Sequence, residues 1–322
     1  MSANKKTEAM TFEEADSSSD EDVKNNESKD KSEHEEEEDD DDDDDDEDMK
    51  SEDSEESYSD VYKGTEELQV EFEGRAPIDP DAEGISQLLQ RLFPRAQINC
   101  NQLAQLLIAQ NFVGSVICQC LDDGPESETD DNMVEDDTIF GITSVLNLTA
   151  KKEKPVIEQL CKYLLERAEK HATKQVHKQL RELLDNEQSH VGFLINERFI
   201  NIPAQISVPL LQNLHQEIEA AKAKKMKFNF DTLLLLVKFH RNAAKKSTSD
   251  EDQYTNAEEE LLVERSKFSF EFTVDAECDA GLADESPRAK KGVLKPYRKL
   301  LALEAKQLPQ LIIDIQGFIN GE

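Results

Sequence analysis

The chain has 322 residues, with 72 Asp and Glu against 37 Lys and Arg, and a formal net charge of -35 at pH 7. This charge disfavours direct binding of nucleic acid, because an acidic protein repels a polyanion. The longest apolar stretch, residues 233–237, is too short to cross a bilayer, and no apolar leader is found near the N-terminus, so neither a membrane nor a secreted protein is predicted.

The first 63 residues are strongly acidic, with 29 Asp and Glu against 7 Lys and Arg and an unbroken run of 14 carboxylates over residues 35–48. Such a segment buries too little apolar surface to offset the entropy of ordering, so residues 1–63 are predicted to be a disordered tail. Two interpretations stay open: an inert solubilising tail, or a negative field that attracts a basic protein. Ser17, Ser18 and Ser19 precede three acidic residues and are candidate sites for an acid-directed kinase.

Residues 64–322 have the length for a single domain with a hydrophobic core. A short strand is predicted at residues 68–72, followed by two leucine-faced helices that begin near Asp79 and near Asn99 or Asn101. Strands over residues 112–118 and 138–148 then form a hairpin, whose acidic connection at residues 122–137 is predicted to be a surface loop.

The second half of this region alternates helix and strand. A helix is predicted around residues 157–164, and residues 176–184 form either a further helix or its continuation. A strand at 191–195 and a helix that begins near Pro209 follow. Residues 228–239 indicate a central strand, and residues 241–255 indicate a polar loop. Residues 268–274 indicate a strand with one buried and one solvent-exposed face. A strand around residues 300–303 and a last helix with Pro309 in its first turn complete an α/β domain with a mixed, largely antiparallel sheet flanked by helices.

No catalytic constellation is predicted from the residues. The six histidines occur in no HxxxH or HExxH pattern, no phosphate-binding glycine motif occurs, and the five cysteines lack paired CxxC spacing. The chain is therefore predicted to be non-enzymatic, without cofactor or metal, and to reside in a reducing compartment. Small basic groups at residues 222–227, 245–246 and 288–291 are typical either of nuclear import signals or of solvated helix ends and loops.

Seven segments carry a family resemblance in order along residues 64–322, namely residues 71–73, 84–93, 106–111, 113–117, 140–149, 196–206 and 256–260. They resemble the BCCIP family, nuclear proteins that include a yeast ribosome-assembly chaperone. The most specific parts are Gly-Ser-Val-Ile at residues 114–117 and Glu-Arg-Phe-Ile-Asn-Ile-Pro at residues 197–203.

The resemblance implies an acidic tail followed by a fold similar to the GNAT acetyltransferases, without that activity. Enzymes of that plan hold pyrophosphate in a glycine-rich loop, and the corresponding residues 148–155 contain no glycine. The family further implies a chaperone for a basic large-subunit ribosomal protein. The alternatives are a cell-cycle and DNA-repair scaffold that binds a CDK inhibitor and a recombination-repair protein, and a degenerate acyltransferase.

Glu197, Arg198 and Asn201 are the candidate partner-binding residues, because they are predicted to follow a strand in the segment most similar to the family. The alternative is structural, with an Arg-carboxylate pair that fixes a loop. The protein is predicted to be a monomer in the nucleus and also in the cytoplasm, with the centrosome or spindle pole as a further location.

Overall fold

The computed structural model describes residues 71–120, 138–242, 252–278 and 294–321. Within these ranges the strands are β1 (Phe72–Arg75), β2 (Ser115–Gln119), β3 (Gly141–Asn147), β4 (His190–Arg198), β5 (Phe230–Asn242), β6 (Gln253–Tyr254), β7 (Phe268–Thr273) and β8 (Leu294–Glu304). They form one open sheet of order β1-β2-β3-β4-β5-β8-β7, and β6 pairs with β5. β4 and β5 are parallel, whereas the other pairings are antiparallel. The predicted mixed, largely antiparallel sheet is confirmed.

Helices cover both faces of this sheet. They are α1 (Ala82–Leu92), α2 (Cys100–Ile108), α3 (Pro155–His171), α4 (Lys174–Asp185), α5 (Ser207–Ala223), α6 (Glu259–Glu264) and α7 (Leu308–Asn320). The first four helices share one hydrophobic cluster with the sheet, and the last three share another on the opposite face. No helix in the described ranges is long and apolar enough to cross a membrane.

The helices form where apolar side chains recur at helical spacing, and a side chain caps the first turn of α2 and of α4. In α1 the buried residues are Ile85, Leu88, Leu89 and Leu92. Asn99 caps α2, because its side chain accepts a hydrogen bond from the backbone N–H of Gln102 at 3.0 Å. The predicted leucine-faced pair α1 and α2, including one of the two proposed caps, is confirmed.

The central strand β5 is buried on both faces, as its continuous leucine run predicts. Leu234 and Leu236 belong to the cluster under α1–α4, whereas Leu233 and Leu235 belong to the cluster under α5–α7. The edge strand β7 alternates as predicted, because Phe270 and Phe272 are buried while the residues between and after them are more exposed.

Several strand and loop boundaries differ from those predicted from the sequence. β1 continues to Arg75, beyond the predicted end at residue 72, because its pairing with β2 runs on to Val116, while the predicted residues 68–70 lie outside the described ranges. β2 begins at Ser115 and not at residue 112, since Gly114 turns the chain with a φ of 115°. The predicted polar loop 241–255 is also too long, because Arg241 and Asn242 complete β5 and Gln253–Tyr254 forms β6.

Other predictions concern residues that the structure does not describe. The tail at residues 1–63, with Ser17, Ser18 and Ser19, and the acidic loop at residues 122–137 lie outside the described ranges. The division into a tail and a single domain at residues 64–322, and the likeness to GNAT acetyltransferases, stay predictions.

Candidate functional site

The parallel strands β4 and β5 separate part of the way along their length. Their pairing runs from His190 to Leu194 on β4 and ends opposite Leu235 on β5. Beyond this point β4 continues beside β3 to Arg198, and β5 continues beside β8 to Asn242. A gap at the carboxyl ends of parallel strands is a frequent ligand site in α/β proteins, so this gap is the first candidate site.

Residues 252–259, named here the bridging segment, fill the gap. β6 pairs with Phe239 and His240 on the edge of β5 opposite β8. The backbone N–H of Thr255 then donates to the Lys238 carbonyl at 3.0 Å, and the Asn256 amide donates to the Asn196 carbonyl of β4 at 3.1 Å. The bridging segment therefore joins the two strands where their own backbone pairing has ended.

Arg198, at the end of β4, is paired with Glu258 of the bridging segment. The guanidinium Nη1 and Nη2 donate to the two carboxylate oxygens of Glu258 at 2.6 and 2.9 Å. The two side chains are 6% and 1% exposed, so this bidentate pair is almost entirely withdrawn from water. The pair fixes the bridging segment against β4, which is the structural role that the sequence left as the alternative.

Glu197 forms a second buried ion pair, on the other face of the sheet, because successive residues of a strand point to opposite faces. Its carboxylate lies 2.6 Å from the Lys238 Nζ of β5. Both side chains are buried, so the pair links β4 to β5 directly across the gap. Two consecutive residues of β4 thus hold the two sides of the gap together.

The sequence-predicted site is therefore corrected in part. Glu197 and Arg198 lie within β4 and not after it, because pairing with β3 continues to Gly141 opposite Arg198. Both side chains are buried in ion pairs within the domain and do not lie on its surface. Asn201 lies in the exposed turn after β4, next to the exposed side chain of Ile200, and its role in partner binding stays a prediction.

Glu259 is a buried carboxyl group at the centre of the site. Its Oε1 accepts hydrogen bonds from the amides of Asn196 at 3.1 Å and Asn256 at 2.9 Å. Burial, reinforced by the nearby carboxylates of Glu258 and Glu197, raises the pKa of Glu259 to about 8. The group therefore stays protonated at neutral pH. It adds no third negative charge to those of Glu197 and Glu258, which Lys238 and Arg198 balance.

A raised carboxyl pKa is also a property of general acids, but Glu259 is covered by its own neighbours and is 2% exposed. Within the described ranges, no three His, Cys, Asp or Glu side chains are grouped as a metal ion requires. The arrangement acts as a rigid polar junction between β4, β5 and the bridging segment.

A further network anchors the start of the bridging segment. Arg241 donates from Nε and Nη2 to the Asp252 carboxylate at 2.6 and 2.7 Å, and it also binds Glu271 of β7. The Phe239 ring lies between Tyr254 and Tyr297, with centroid distances of 5.6 and 5.3 Å. The bridging segment is therefore held at both ends by buried or half-buried contacts.

Exposed apolar side chains are the features that sequence reasoning missed. A groove of about 580 Å³ lies between α6 and α7, and the exposed side chains of Ile313 and Phe318 line it. Both residues lie outside the buried stripe of α7, whose members are Leu308, Leu311, Ile312 and Ile315. A helical-phase analysis of α7 could have identified them, because apolar residues off the buried stripe face outwards.

Comparisons with known proteins find similar sequences over most of the described part of the chain. A family model described as BCCIP matches residues 67–271, which include β4 and the bridging segment. "Protein BCCIP homolog" of Drosophila melanogaster is 69% identical over 268 residues, which cover 83% of this chain and 90% of that protein. "BRCA2 and CDKN1A-interacting protein" of Homo sapiens is 33% identical over 269 residues, which cover 79% of this chain and 82% of that protein.

Fungal proteins are similar over most of the same region. "Protein bcp1" of Schizosaccharomyces pombe is 30% identical over 205 residues, which cover 63% of this chain and 68% of that protein. The crystal structure of BCP1 from Saccharomyces cerevisiae covers 81% of this chain and 93% of its own, with a TM-score of 0.51 and 16% identity. The last likeness concerns the fold alone.

Proposed function

The chain belongs to the BCCIP family, and we propose that it is a non-enzymatic nuclear adaptor and chaperone for a basic large-subunit ribosomal protein during ribosome biogenesis. The names of its mammalian relatives describe interacting proteins. The observation that carries the proposal is the distribution of charge, since residues 1–63 hold a net -22 and the remaining residues -13. A dense run of carboxylates attracts a basic protein and competes with the RNA phosphates that this protein would otherwise bind.

The polar junction supports a binding role over a catalytic one. The gap between β4 and β5 is occupied by the bridging segment, whose carboxylates are paired with Arg198 or covered. A binding protein benefits from such a junction, because it presents outer surfaces such as the α6–α7 groove on a rigid sheet.

The experiment that tests the proposal compares tagged full-length proteins recovered from cells. In one variant the carboxylates of residues 35–48 are replaced by Gln and Asn; in the matched control, residues 1–63 are shuffled so that length and charge are kept. Partners are identified by mass spectrometry at about 150 and about 500 mM salt, the higher of which screens exposed charges strongly.

We expect a basic ribosomal protein to dominate the wild-type and shuffled samples at low salt. Its recovery should fall severalfold for the neutralised variant, and for the wild type at high salt. Equal recovery with the neutralised tail would contradict the proposal. Fractionation and imaging of the same proteins test the proposed location in the nucleus, with a cytoplasmic pool.

The relatives' names favour a second candidate function, a cell-cycle and DNA-repair scaffold that binds a CDK inhibitor and a recombination-repair protein and acts at spindle poles. In this case the exposed apolar side chains of Ile313 and Phe318 in the groove between α6 and α7 would contribute more than the tail. The same purification distinguishes the two functions, because apolar contacts are nearly indifferent to salt. Recovery of repair or spindle proteins from all three samples at both salt concentrations would favour the scaffold.

A further inference from the structure

A polar groove of about 520 Å³, named here the α3 groove, lies between α3, the turn after α1 and the residues that follow β7. Its charged lining residues are Arg95, Lys162, Arg167 and Lys170, which are positive, and Glu166 and Glu277, which are negative. Residues 162, 163, 166, 167 and 170 recur at helical spacing, so they form a stripe along α3. The lining has a net positive charge in a chain whose net charge is -35.

Tyr163 places a buried hydroxyl group beside this stripe. The residue is 7% exposed, and the only group that approaches its hydroxyl among the described residues is the guanidinium of Arg167, which has no acceptor, so the phenol hydrogen is left without one. Burial raises the pKa of Tyr163 to about 12, so the phenol stays protonated and remains a hydrogen-bond donor. A buried donor without an acceptor is costly, and an entering anion would supply the acceptor.

Arg167 covers this tyrosine. Its guanidinium lies 4.9 Å from the ring centre of Tyr163 and 5.1 Å from that of Phe272. Its Nη2 is 2.6 Å from the Glu277 carboxylate, so this carboxylate competes with any other anion for the guanidinium. Lys170, one turn further along α3, is exposed beside the pair.

We propose that the α3 groove binds the phosphate monoester of an acidic partner segment. Arg167, Lys170 and the Tyr163 hydroxyl would be its donors, and the phosphate would displace Glu277 from Arg167. A phosphate offers three strong acceptor oxygens and forms charge-assisted bonds with guanidinium groups. A peptide is favoured over nucleic acid, because the rings of Tyr163 and Phe272 are buried and cannot stack on bases.

The test measures binding of the full-length protein to a labelled peptide with one phosphoserine flanked by Glu and Gly, by fluorescence anisotropy. The same peptide without phosphate, inorganic phosphate and a single-stranded RNA oligomer are the comparison ligands. The double variant Lys162→Glu with Lys170→Glu should bind the phosphopeptide roughly tenfold more weakly, because two cations are reversed.

Lys174→Glu with Lys178→Glu on α4 is the matched control, and it should bind as the wild type does. Lys162 lies 3.9 Å from Glu166 and is 70% exposed. Lys178 forms the equivalent i,i+4 pair on α4, since it lies 3.6 Å from Glu182 and is 77% exposed. Equal weakening in both double variants would overturn the proposal, because it would indicate unspecific attraction.

Two single variants separate a binding role from a structural one. Tyr163→Phe should weaken phosphopeptide binding several-fold without lowering the melting temperature, since the phenol hydrogen has no acceptor among the described residues. Glu277→Gln should strengthen binding, because it removes the competing carboxylate.

Wild-type affinity in both single variants would overturn the proposal, as would RNA or inorganic phosphate that binds as tightly as the phosphopeptide. The chaperone proposal rests on the charge of residues 1–63 and this one on the α3 groove, so a negative result here leaves the proposed chaperone function untouched.

Discussion

The buried pair between Arg198 and Glu258 should be the most sensitive ionic contact in the polar junction. Glu258→Gln should lower the free energy of unfolding by about 3–5 kcal/mol, because it leaves the covered guanidinium without a counter-charge. Urea denaturation followed by circular dichroism measures this loss. The neighbouring exposed carboxylate provides the control, and Glu260→Gln should change stability by less than about 0.5 kcal/mol. Similar values for the two variants would show that the pair does not stabilise the junction.

Glu259 should make stability depend on pH. Its pKa is about 8 in the folded protein and near the ordinary 4.5 in the unfolded chain. Between these values the folded protein retains a proton that the unfolded chain releases. The stability that the protonated Glu259 contributes is therefore fully present below the lower pKa, and it is lost as pH rises towards the higher one. Glu259→Gln keeps the Oε1 acceptor and cannot ionise.

The difference in unfolding free energy between Glu259→Gln and the wild type should therefore move in favour of the variant as pH rises from about 5 to about 8. Denaturation curves at several pH values across this range measure the difference. A difference that stays constant with pH would contradict the raised pKa.

At the residue scale, the sequence indicated a segment that lies at the polar junction but not the role of each side chain. Glu197 and Arg198 were expected to face a partner, yet both are buried. Their roles depend on Lys238 and on Glu258, the latter 60 positions away from Arg198, and local pattern contains no information about such pairs. The raised pKa of Glu259 has the same origin, since it arises from neighbours that only the folded chain brings together.

At the element scale, periodicity predicted the long helices and the central strand because their apolar spacing is local. β5 and β7 were recognised from the leucine run and the alternating phenylalanines. β6 and α6 were not predicted, because a strand of two residues and a helix of six are stabilised by contacts with β5 and β8 and not by their own sequence.

Gly114, just before β2, should tolerate no side chain. Its φ is 115°, and a Cβ there would lie 2.4 Å from the Ser144 Oγ and 2.9 Å from the Thr143 carbonyl oxygen. Gly114→Ala should therefore destabilise the protein by about 2 kcal/mol or more, through backbone strain and the displacement of β3. The midpoint of thermal unfolding is the simplest measurement.

Gly317 of α7 is the matched control, because a Cβ there would meet nothing within 4 Å. Gly317→Ala should stabilise the protein by roughly 0.5–1 kcal/mol, as expected for alanine in an exposed helix. If both substitutions shifted the midpoint in the same direction, the steric argument for Gly114 would be wrong.

At the scale of the whole molecule, the fold class followed from the order of strands and helices, but the gap between β4 and β5 did not. Local sequence pattern predicts neither the register of two parallel strands nor the point at which they separate. In this protein the strands part after Leu194 and Leu235, and the bridging segment arrives from a later part of the chain. Contacts between distant segments therefore decide where the polar junction forms.

Charge at this scale should affect the rate of association more than the lifetime of the complex. Under the proposed function, the net -22 of residues 1–63 would attract the basic partner before contact, whereas short-range contacts with the folded domain would determine dissociation. Neutralising residues 35–48 should lower the association rate constant by about tenfold at low salt, with little change in the dissociation rate constant. Stopped-flow or surface plasmon resonance with the basic partner that co-purifies resolves the two constants. A variant that dissociates faster but associates at the wild-type rate would indicate that the tail forms lasting contacts in the complex instead of steering the encounter.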